Sequence, residues 1–399
     1  MKYKRMEEAV FLNRENRFIA MVEKNNQPIR VHVPNTGRCR ELFVPGVKVL
    51  LEGADPAKKR KTPYSLVTVY KGENPINIDS QAPNQLAAEY FDGGPYLKGF
   101  GKILSYKREV SEGDSRFDFY LKGTEGEGFL EVKGVTLEED GLAKFPDAPT
   151  VRGAKHLREL GDMTAEGKCC GVLFVVQMKG VWGFTPNEAM DPDFASALRE
   201  AEVKGLNVFV ADTSVNGPIM AVDKPVVYFS KAPLDLVKAK EGDLPRVVNF
   251  IDSARAALKA DGVDQWQGKD PTPEDLLENI KAGCCYFFKD DAVAGMAVLK
   301  EGADATYDVI DGKWLTDGDY LTIHQFVVDS ERKGEGMSRR MMERIFAYAR
   351  FKGIPAIRID THADNFRMRG LIESSGFTYC GIITVADGTE RVAYEQVIL

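Results

Sequence analysis

The sequence predicts a multidomain protein of mixed α/β and α+β class, made of three successive folded segments. Its 399 residues are too many for one hydrophobic core. Short β-rich stretches come first, strands then alternate with helices, and a second alternating pattern follows. We therefore expect domains at 1–82, 83–230 and 244–399, with a polar linker lacking a clear period at 231–243.

The first segment is predicted to form a small β-barrel. Four stretches are rich in β-branched or aromatic residues and are separated by turn residues. These stretches are Phe18–Val22, Ile29–Val33, Val47–Leu51 and Tyr64–Tyr70. Strands of this length and spacing favour an OB-like barrel, a fold that often binds single-stranded nucleic acid across one face.

The middle segment is predicted to be an α/β core, because strands and helices alternate along it. The predicted strands are Ile103–Tyr106, Phe117–Leu121, Phe129–Val135, Val172–Val176 and Val208–Ala211. The predicted helices are Gln85–Phe91 with Asn84 as its cap, Arg152–Asp162 and Ala195–Lys204. Val172–Val176 is apolar throughout, which is typical of a strand covered on both faces.

Composition excludes several classes of protein. The chain is 44% hydrophobic and 28% charged, which is ordinary for a soluble globular protein. It has no apolar run near the roughly 20 residues needed to span a bilayer, and its charged start does not resemble a secretory signal. We therefore expect a cytoplasmic protein with no membrane partner. Its net charge of −7 means that any nucleic-acid surface would be local, for example at the basic run Lys58–Lys61.

Two acids and a lysine on neighbouring strands form the first candidate site. Lys122–Gly128 is a plausible hairpin connection, and pairing of the flanking strands would gather Asp118, Glu131 and Lys133 on one side of the sheet. Two close carboxylates suit Mg²⁺ or Mn²⁺, and the lysine could orient a water for attack on a phosphate. The alternative is a half-exposed hairpin whose charges simply face water.

Many short motifs in this half of the chain occur in one familiar order. They include Pro34-Asn35-Thr36-Gly37, Ala82-Pro83-Asn84, Ser115-Arg116-Phe117-Asp118-Phe119, Glu131-Val132-Lys133-Gly134, Phe145-Pro146-Asp147 and Arg152-Gly153-Ala154-Lys155-His156. The stretch from about residue 13 to 230 closely resembles the sugar fermentation stimulation protein A family. That resemblance implies an OB-like domain followed by a PD-(D/E)XK nuclease-like domain that binds DNA. It further implies that Asp118 and Glu131 bind metal, that Lys133 is the catalytic lysine, and that Glu89 is an additional metal-binding acid.

A basic helix face follows the acid site. Arg152, Lys155 and Arg158 are spaced three apart, so they share one face of the predicted helix. Such a face is usually only solvated, but beside a phosphate-cleaving site it would grip the backbone of DNA or RNA. His156 is either a proton carrier or a residue that supports the acids from behind.

The third segment contains a strand, a basic glycine loop and a helix in succession. Tyr320–Val328 is a strong strand, the loop runs through Arg332–Ser338, and the helix is predicted over Ser338–Phe351. Gly334 and Gly336 would let backbone amides approach phosphate oxygens, and the helix dipole adds attraction. This arrangement predicts an anion site.

The third segment resembles the GNAT acetyltransferase superfamily over about 150 residues. The family loop Arg/Gln-x-x-Gly-x-Gly/Ala matches Lys333-Gly334-Glu335-Gly336-Met337-Ser338, with Lys333 and Ser338 as mild departures. The resemblance implies a mixed-sheet fold that binds acetyl-CoA. The residues implied to bind that cofactor are Val327, Val328, Lys333, Gly334, Gly336, Met337, Ser338 and Asn365.

The catalytic groups of the third segment are less clear from the sequence. His324, on the central strand, is the candidate base, and the alternative is a hydrogen-bonded strand histidine. Ile372 stands where many GNAT members carry a tyrosine that protonates the leaving thiolate. The general acid is therefore unassigned, and Tyr379 and Cys380 are weak alternatives for it. Trp266 and Gln267, placed after the first helix of this segment, are candidates for lining the acceptor pocket.

Together these features predict a fused protein with two activities. One is N-acetylation from acetyl-CoA of an amine that the sequence does not identify, and the other is metal-dependent nuclease chemistry on DNA. The alternative for the first half is a DNA-binding regulator that does not cleave.

Overall fold

The computed structural model describes residues 1–35, 37–54, 61–268, 270–385 and 388–398. The chain divides into two compact units, Met1–Ala232 and Pro233–Leu399. Of the predicted basic run, Lys58, Lys59 and Arg60 lie outside the described residues. No helix among the described residues is long and apolar enough to cross a membrane.

The first unit begins with a six-stranded barrel-like sheet. Its strands are β1 Met6–Asn16, β2 Ile19–Lys24, β3 Gln27–His32, β4 Lys48–Gly53, β5 Tyr64–Lys71 and β6 Asn74–Asn77. Their order is β3-β2-β1-β4-β5-β6, and a further β3–β5 contact closes the sheet. This confirms the OB-like barrel. The sequence did not predict β1, because charged residues interrupt it and only Ala9 and Phe11 along it are buried.

The rest of the first unit comprises a seven-stranded mixed sheet with helices on both faces and a separate sheet of three short strands. Its elements are α1 Ala82–Asp92, β7 Tyr96–Leu97, β8 Gly101–Glu112, β9 Ser115–Gly123, β10 Glu127–Val135, β11 Leu137–Glu139, β12 Leu142–Phe145, α2 Val151–Ala165, β13 Gly171–Val176, β14 Gly183–Pro186, α3 Pro192–Val203, β15 Asn207–Asn216 and β16 Ile219–Pro225. The main sheet has the order β16-β15-β13-β10-β9-β8-β7. Strands β10, β13 and β15 are parallel, and every residue of β13 is buried.

Helix packing fixes the two faces of this sheet. Helices α2 and α3 cover one face, where a Cβ at Gly161 would lie only 2.9 Å from the Ala201 backbone, so the glycine permits close contact between the helices. Helix α1 covers the other face through Leu86 and Phe91. The acid site therefore lies in a sheet with a buried core on each side.

The second unit is an eight-stranded mixed sheet with helices. Its elements are β17 Asp235–Lys238, α4 Leu244–Ala260, α5 Pro273–Lys281, β18 Cys285–Lys289, β19 Val293–Glu301, β20 Asp311–Gly312, β21 Tyr320–Val328, α6 Met337–Lys352, β22 Ala356–Thr361, α7 Phe366–Ser374, β23 Thr378–Thr384 and β24 Glu390–Val397. The order is β17-β18-β19-β21-β22-β24-β23-β20, and β21 and β22 are the parallel pair.

Strand β17 and helix α5 are among the elements of this unit that the sequence did not predict. Strand β17 lies inside the predicted linker 231–243 and pairs with β18 at the edge of the sheet. Helix α5 begins with a capping box between Thr272 and Asp275 and has Pro273 in its first turn. That start signal is readable in the sequence and could have revealed the helix.

Candidate functional sites

The predicted hairpin forms, and its strands separate at the acid site. Strand β10 pairs with β9 from Glu127 to Leu130. Beyond Leu130, the Val132 N–H instead donates to Asp118 Oδ2 at 2.8 Å. The carboxylate thus takes the place of a strand carbonyl, which fixes Asp118 against β10 while β10 continues to pair with β13 on its other edge.

Glu131 is buried beside two cationic or polar partners. Its Oε1 lies 2.5 Å from Lys133 Nζ and 2.8 Å from His156 Nδ1, whereas its Oε2 is buried without a hydrogen-bond partner. Burial opposes ionisation, but the His156 hydrogen bond and the Lys133 charge outweigh it and lower the pKa of the Glu131 carboxyl. His156, itself buried, therefore supports Glu131 from behind.

Asp118 has the opposite electrostatic balance. Burial, followed by the nearby charge of Glu131, raises the pKa of its carboxyl above the ordinary value. The Asn84 amide also donates to Asp118 Oδ1 at 2.8 Å. A buried Glu131 with one unpartnered oxygen and a half-buried Asp118 that feels its charge fit a hard divalent cation, since oxygen ligands suit Mg²⁺, Mn²⁺ and Ca²⁺. Asp118 and Glu131 would hold such an ion.

The structure gives Glu89 partners outside this pair, and its predicted place beside the metal stays a prediction. Glu89 is five residues after Asn84, which places it about 140° around α1 from the side that faces Asp118. It is exposed, accepts a hydrogen bond from Gln85 Nε2 at 3.2 Å and pairs with the Met1 amino group. In the described ranges, no three His, Cys, Asp or Glu side chains are arranged to hold a metal ion.

The predicted basic face on α2 is present but partly neutralised. Arg152 Nε lies 3.4 Å from His156 Nε2, so it is beside the acid site. Lys155 pairs with Glu159 at 3.5 Å, and Arg158 pairs with two acids of α3, Asp193 and Glu200. Arg152 and Lys155 are exposed and remain the better placed of the three to meet a phosphate.

The second candidate site lies where two parallel strands diverge. Strand β21 pairs with β22 only from Tyr320 to Ile323. From His324 onward its edge toward β22 has no strand partner among the described residues, although β19 still pairs with the other edge. A shift in register against β19 and a left-handed φ of 50° at Gln325 bend the strand at this point.

A cavity of about 1080 Å³ occupies this divergence. Several residues predicted to bind the cofactor line it, as does the candidate base. They are Val327, Val328, Lys333, Ser338, Asn365 and His324. Trp266 and Gln267 also line the cavity, in agreement with the position predicted for them.

The glycine loop leads directly into α6. Gly334 and Gly336 have φ values of 85° and 74°, and Gly336 is the N-cap of α6 without any side-chain cap. The first amides of the helix therefore point outward unsatisfied by a cap. Met337 is buried in the core, so it can contribute only backbone. Lys333 is exposed.

Arg332 stiffens this loop and is not available as a free cation. It bonds to Asp290 at 2.6 Å and to Glu335 at 2.9 Å. Lys333, in contrast, forms no ion pair within the part of the chain that the structure describes. The loop thus offers one free lysine and a row of amides to an anion.

His324 is held by a residue that the sequence analysis missed. Its Nε2 lies 2.9 Å from Asp304 Oδ2, and Asp304 Oδ1 accepts from the Thr306 N–H at 3.0 Å. The hydrogen bond to His324, despite burial, lowers the pKa of the Asp304 carboxyl well below its ordinary range. No spacing signal joins positions 304 and 324, so only the fold shows this pair.

Asn365 caps a helix at the cavity wall. Its Oδ1 accepts from Met368 N at 3.2 Å, and its Nδ2 donates to Gln265 Oε1 at 3.0 Å. Ile372 is fully buried in the core. Tyr379 and Cys380 are not among the cavity-lining residues, and burial raises the pKa of the Cys380 thiol, so neither is placed as a general acid.

Three family models match successive parts of the chain, and each candidate site lies within one matched part. Residues 12–78 match the SfsA N-terminal OB domain, residues 81–218 match the sugar fermentation stimulation protein RE domain, and residues 252–377 match the acetyltransferase (GNAT) family. The first unit is thus an OB barrel joined to an RE-type domain, and the second unit carries a domain of the GNAT acetyltransferase family.

Individual relatives agree with this class. A sugar fermentation stimulation protein homolog of Ruminiclostridium cellulolyticum is 45% identical over 226 residues, which is 57% of this chain and 98% of that protein. A homolog of Alkaliphilus oremlandii is 48% identical over 219 residues, covering 54% and 93%. The chain belongs to the sugar fermentation stimulation protein family and carries a GNAT domain in addition.

Two solved structures are similar to parts of this chain. Pyrococcus furiosus SfsA in complex with Ca²⁺ is 27% identical with a TM-score of 0.52, covering 57% of this chain and 98% of that one. A GNAT-family acetyltransferase of Streptococcus agalactiae is 29% identical with a TM-score of 0.38, covering 41% and 95%.

Proposed function

We propose that the second unit is an acetyl-CoA-dependent N-acetyltransferase. The observation that carries this proposal is the open edge of β21 beside the glycine loop. An extended pantetheine arm can pair with the unpartnered backbone near Val327 and Val328, as an added strand does. Its pyrophosphate then meets the amides of Gly334–Ser338 and the positive end of α6.

His324 is proposed to remove the proton of the acceptor amine. A carboxylate can only accept, so the Asp304 contact leaves Nε2 as the donor and Nδ1 free to take a proton. Acetyl-CoA supplies the activated acetyl group. His324 lies at the first residue beyond the paired part of β21 and lines the cavity, so an amine entering there would meet Nδ1. The acceptor itself stays unassigned.

The test is release of the CoA thiol from acetyl-CoA, screened against small amines, peptides and aminated nucleic acids. We expect thiol release that depends on one acceptor class, and a large loss of turnover in His324→Ala. A matched control is His362→Ala, because His362 is also partly buried but does not line the cavity. Equal losses in both variants would remove His324 from the mechanism.

For the first unit we propose DNA binding with metal-dependent cleavage. The supporting observation is the buried, unpartnered Glu131 Oε2 beside Asp118, with Lys133 held close by Glu131. The Pyrococcus furiosus relative was solved in complex with Ca²⁺, which supports binding of a divalent ion by the first unit. A bound Mg²⁺ or Mn²⁺ would stabilise charge on a phosphate. Lys133 would orient the attacking water, and Arg152 and Lys155 would contact the backbone of the nucleic acid.

A cleavage assay decides between this proposal and a regulator that binds without cutting. Plasmid, linear and single-stranded DNA, together with RNA, are incubated with and without Mg²⁺ or Mn²⁺. We expect metal-dependent cleavage that is lost in Asp118→Ala, while binding persists. Binding without cleavage of any substrate by the wild type would favour the regulator.

A further inference from the structure

Asn84 points at the acid site instead of capping its helix. It lies in the first turn of α1, and the N-cap of that helix is Gln81, with proline in the first turn. Proline suits this position because its missing N–H needs no partner there. Asn84 was predicted as the cap, and that prediction is wrong. Its amide is free to donate from Nδ2 to Asp118 Oδ1 at 2.8 Å.

The start of α1 is pressed against the strand that carries Glu131. A Cβ on Gly134 of β10 would lie 2.6 Å from Pro83 Cγ, so only glycine allows this approach. Pro83 directly precedes Asn84. The close contact therefore packs the start of α1 against the face of β10 that carries Leu130 and Val132, and the Asn84 side chain reaches Asp118, which is itself bonded to the edge of β10.

Two residues that act on Asp118 each have one side-chain oxygen that is buried and unsatisfied. These oxygens are Asn84 Oδ1 and Glu131 Oε2, and neither has a hydrogen-bond partner in the structure. Leaving a buried acceptor unpaired costs about 1–3 kcal/mol. Both belong to residues that contact or electrostatically influence Asp118. A group that satisfied both would have to be positively charged or rich in donors, and a hard cation accepts such oxygens.

We propose that Asn84 Oδ1 is the third protein ligand of a divalent cation held by Asp118 and Glu131, in the role that the sequence analysis gave to Glu89. The proposal rests on the metal-dependent function proposed for the first unit. Two carboxylates balance a divalent charge, and a neutral amide adds a ligand without adding negative charge. The site thereby remains able to approach an anionic phosphate.

The test is calorimetric titration of the full chain with CaCl₂ and with MnCl₂. Asn84→Leu, which has similar size but no oxygen, should weaken binding by about 10- to 100-fold, the range typical for lost support of a metal site. Asn84→Asp keeps an oxygen but loses the N–H donor, and it should bind with equal or greater affinity. Glu89→Gln is the matched control and should leave affinity unchanged.

Each other outcome overturns a specific claim. If Asn84 only orients Asp118 through its N–H, then Asn84→Asp will bind metal more weakly, because the donor is lost and a like charge is added. If Asn84→Leu binds as the wild type does, or if Glu89→Gln loses affinity, the ligand assignment fails.

Asp118→Ala tests the site itself. No metal binding by wild type, or binding unchanged in Asp118→Ala, would remove the metal function as well. Thermal melting without metal verifies that each variant is folded.

Discussion

Replacing Gly336 with valine should weaken acetyl-CoA binding severely. Gly336 has a left-handed φ of 74° and caps α6, and a Cβ there meets nothing within 4 Å. The substitution therefore strains the backbone, and the valine side chain occupies the open space that the phosphates need. A β-branched residue in this conformation costs about 1–3 kcal/mol, which the loop would relieve by turning its amides away.

The magnitude follows from the lost hydrogen bonds. A hydrogen bond to a charged group is worth about 1.5–3 kcal/mol, and about 1.4 kcal/mol is a factor of ten. Loss of one amide–phosphate contact should thus raise the Kd for acetyl-CoA by about 10- to 100-fold, and loss of two by more. Isothermal titration of the full chain measures this directly.

Gly353→Val is the matched control for Gly336→Val. Gly353 ends the same helix with a φ of 71°, and a Cβ there also meets nothing within 4 Å. Both variants should therefore lose similar thermal stability, but only Gly336→Val should lose affinity. Unchanged affinity in folded Gly336→Val, or equal loss in Gly353→Val, would refute the loop assignment.

Four further predictions concern the two sites. His324→Ala should lower turnover by about 10²–10⁴-fold with little change in acetyl-CoA affinity, and a pH–rate profile that keeps its acidic limb would count against His324 as the base. The Asp304 carboxyl has a lowered pKa, so its stabilising effect is present above the ordinary carboxyl pKa of about 4 and is lost as pH falls below it. Wild type should therefore exceed Asp304→Asn in unfolding free energy at neutral pH, with the gap shrinking in acid; a gap independent of pH would contradict this. DNA affinity of the full chain should fall steeply with salt, and removing Arg152 and Lys155 should reduce the slope of log K against log salt by about 2; a slope that does not change would exclude their phosphate contacts. Lys133→Ala should retain Mn²⁺ binding but lose cleavage, and loss of both together would make the lysine structural.

Strong local patterns made much of the fold predictable. Tyr320–Val328 is an uninterrupted β-prone stretch, and the structure gives it as β21 with the predicted bounds. Strand β1 was missed because its register is set by pairing with β2 and β4. Tertiary pairing of this kind overrides local propensity.

Proximity in sequence made parts of both candidate sites predictable. The hairpin spacing placed Asp118, Glu131 and Lys133 together, and the glycine loop indicated the anion site. Asp304 was missed because it reaches His324 through the fold alone. Glu89 was assigned by resemblance, and its helical position relative to Asn84 turns it away from the acids. A residue that faces a site from another element leaves no periodic trace in the sequence.

Amide hydrogen exchange with and without acetyl-CoA tests the central claim most directly, because it reports on the backbone groups that are proposed to bind the cofactor. We predict that acetyl-CoA slows exchange in two segments. One is Phe326 to Val328, where the edge of β21 toward β22 is unpaired, and the other is the loop and helix start from Gly334 to Arg340. The peptide containing Gly353, at the far end of α6, should be unaffected and serves as the internal control. If saturating acetyl-CoA leaves exchange in both segments unchanged, the second unit does not bind the cofactor as proposed.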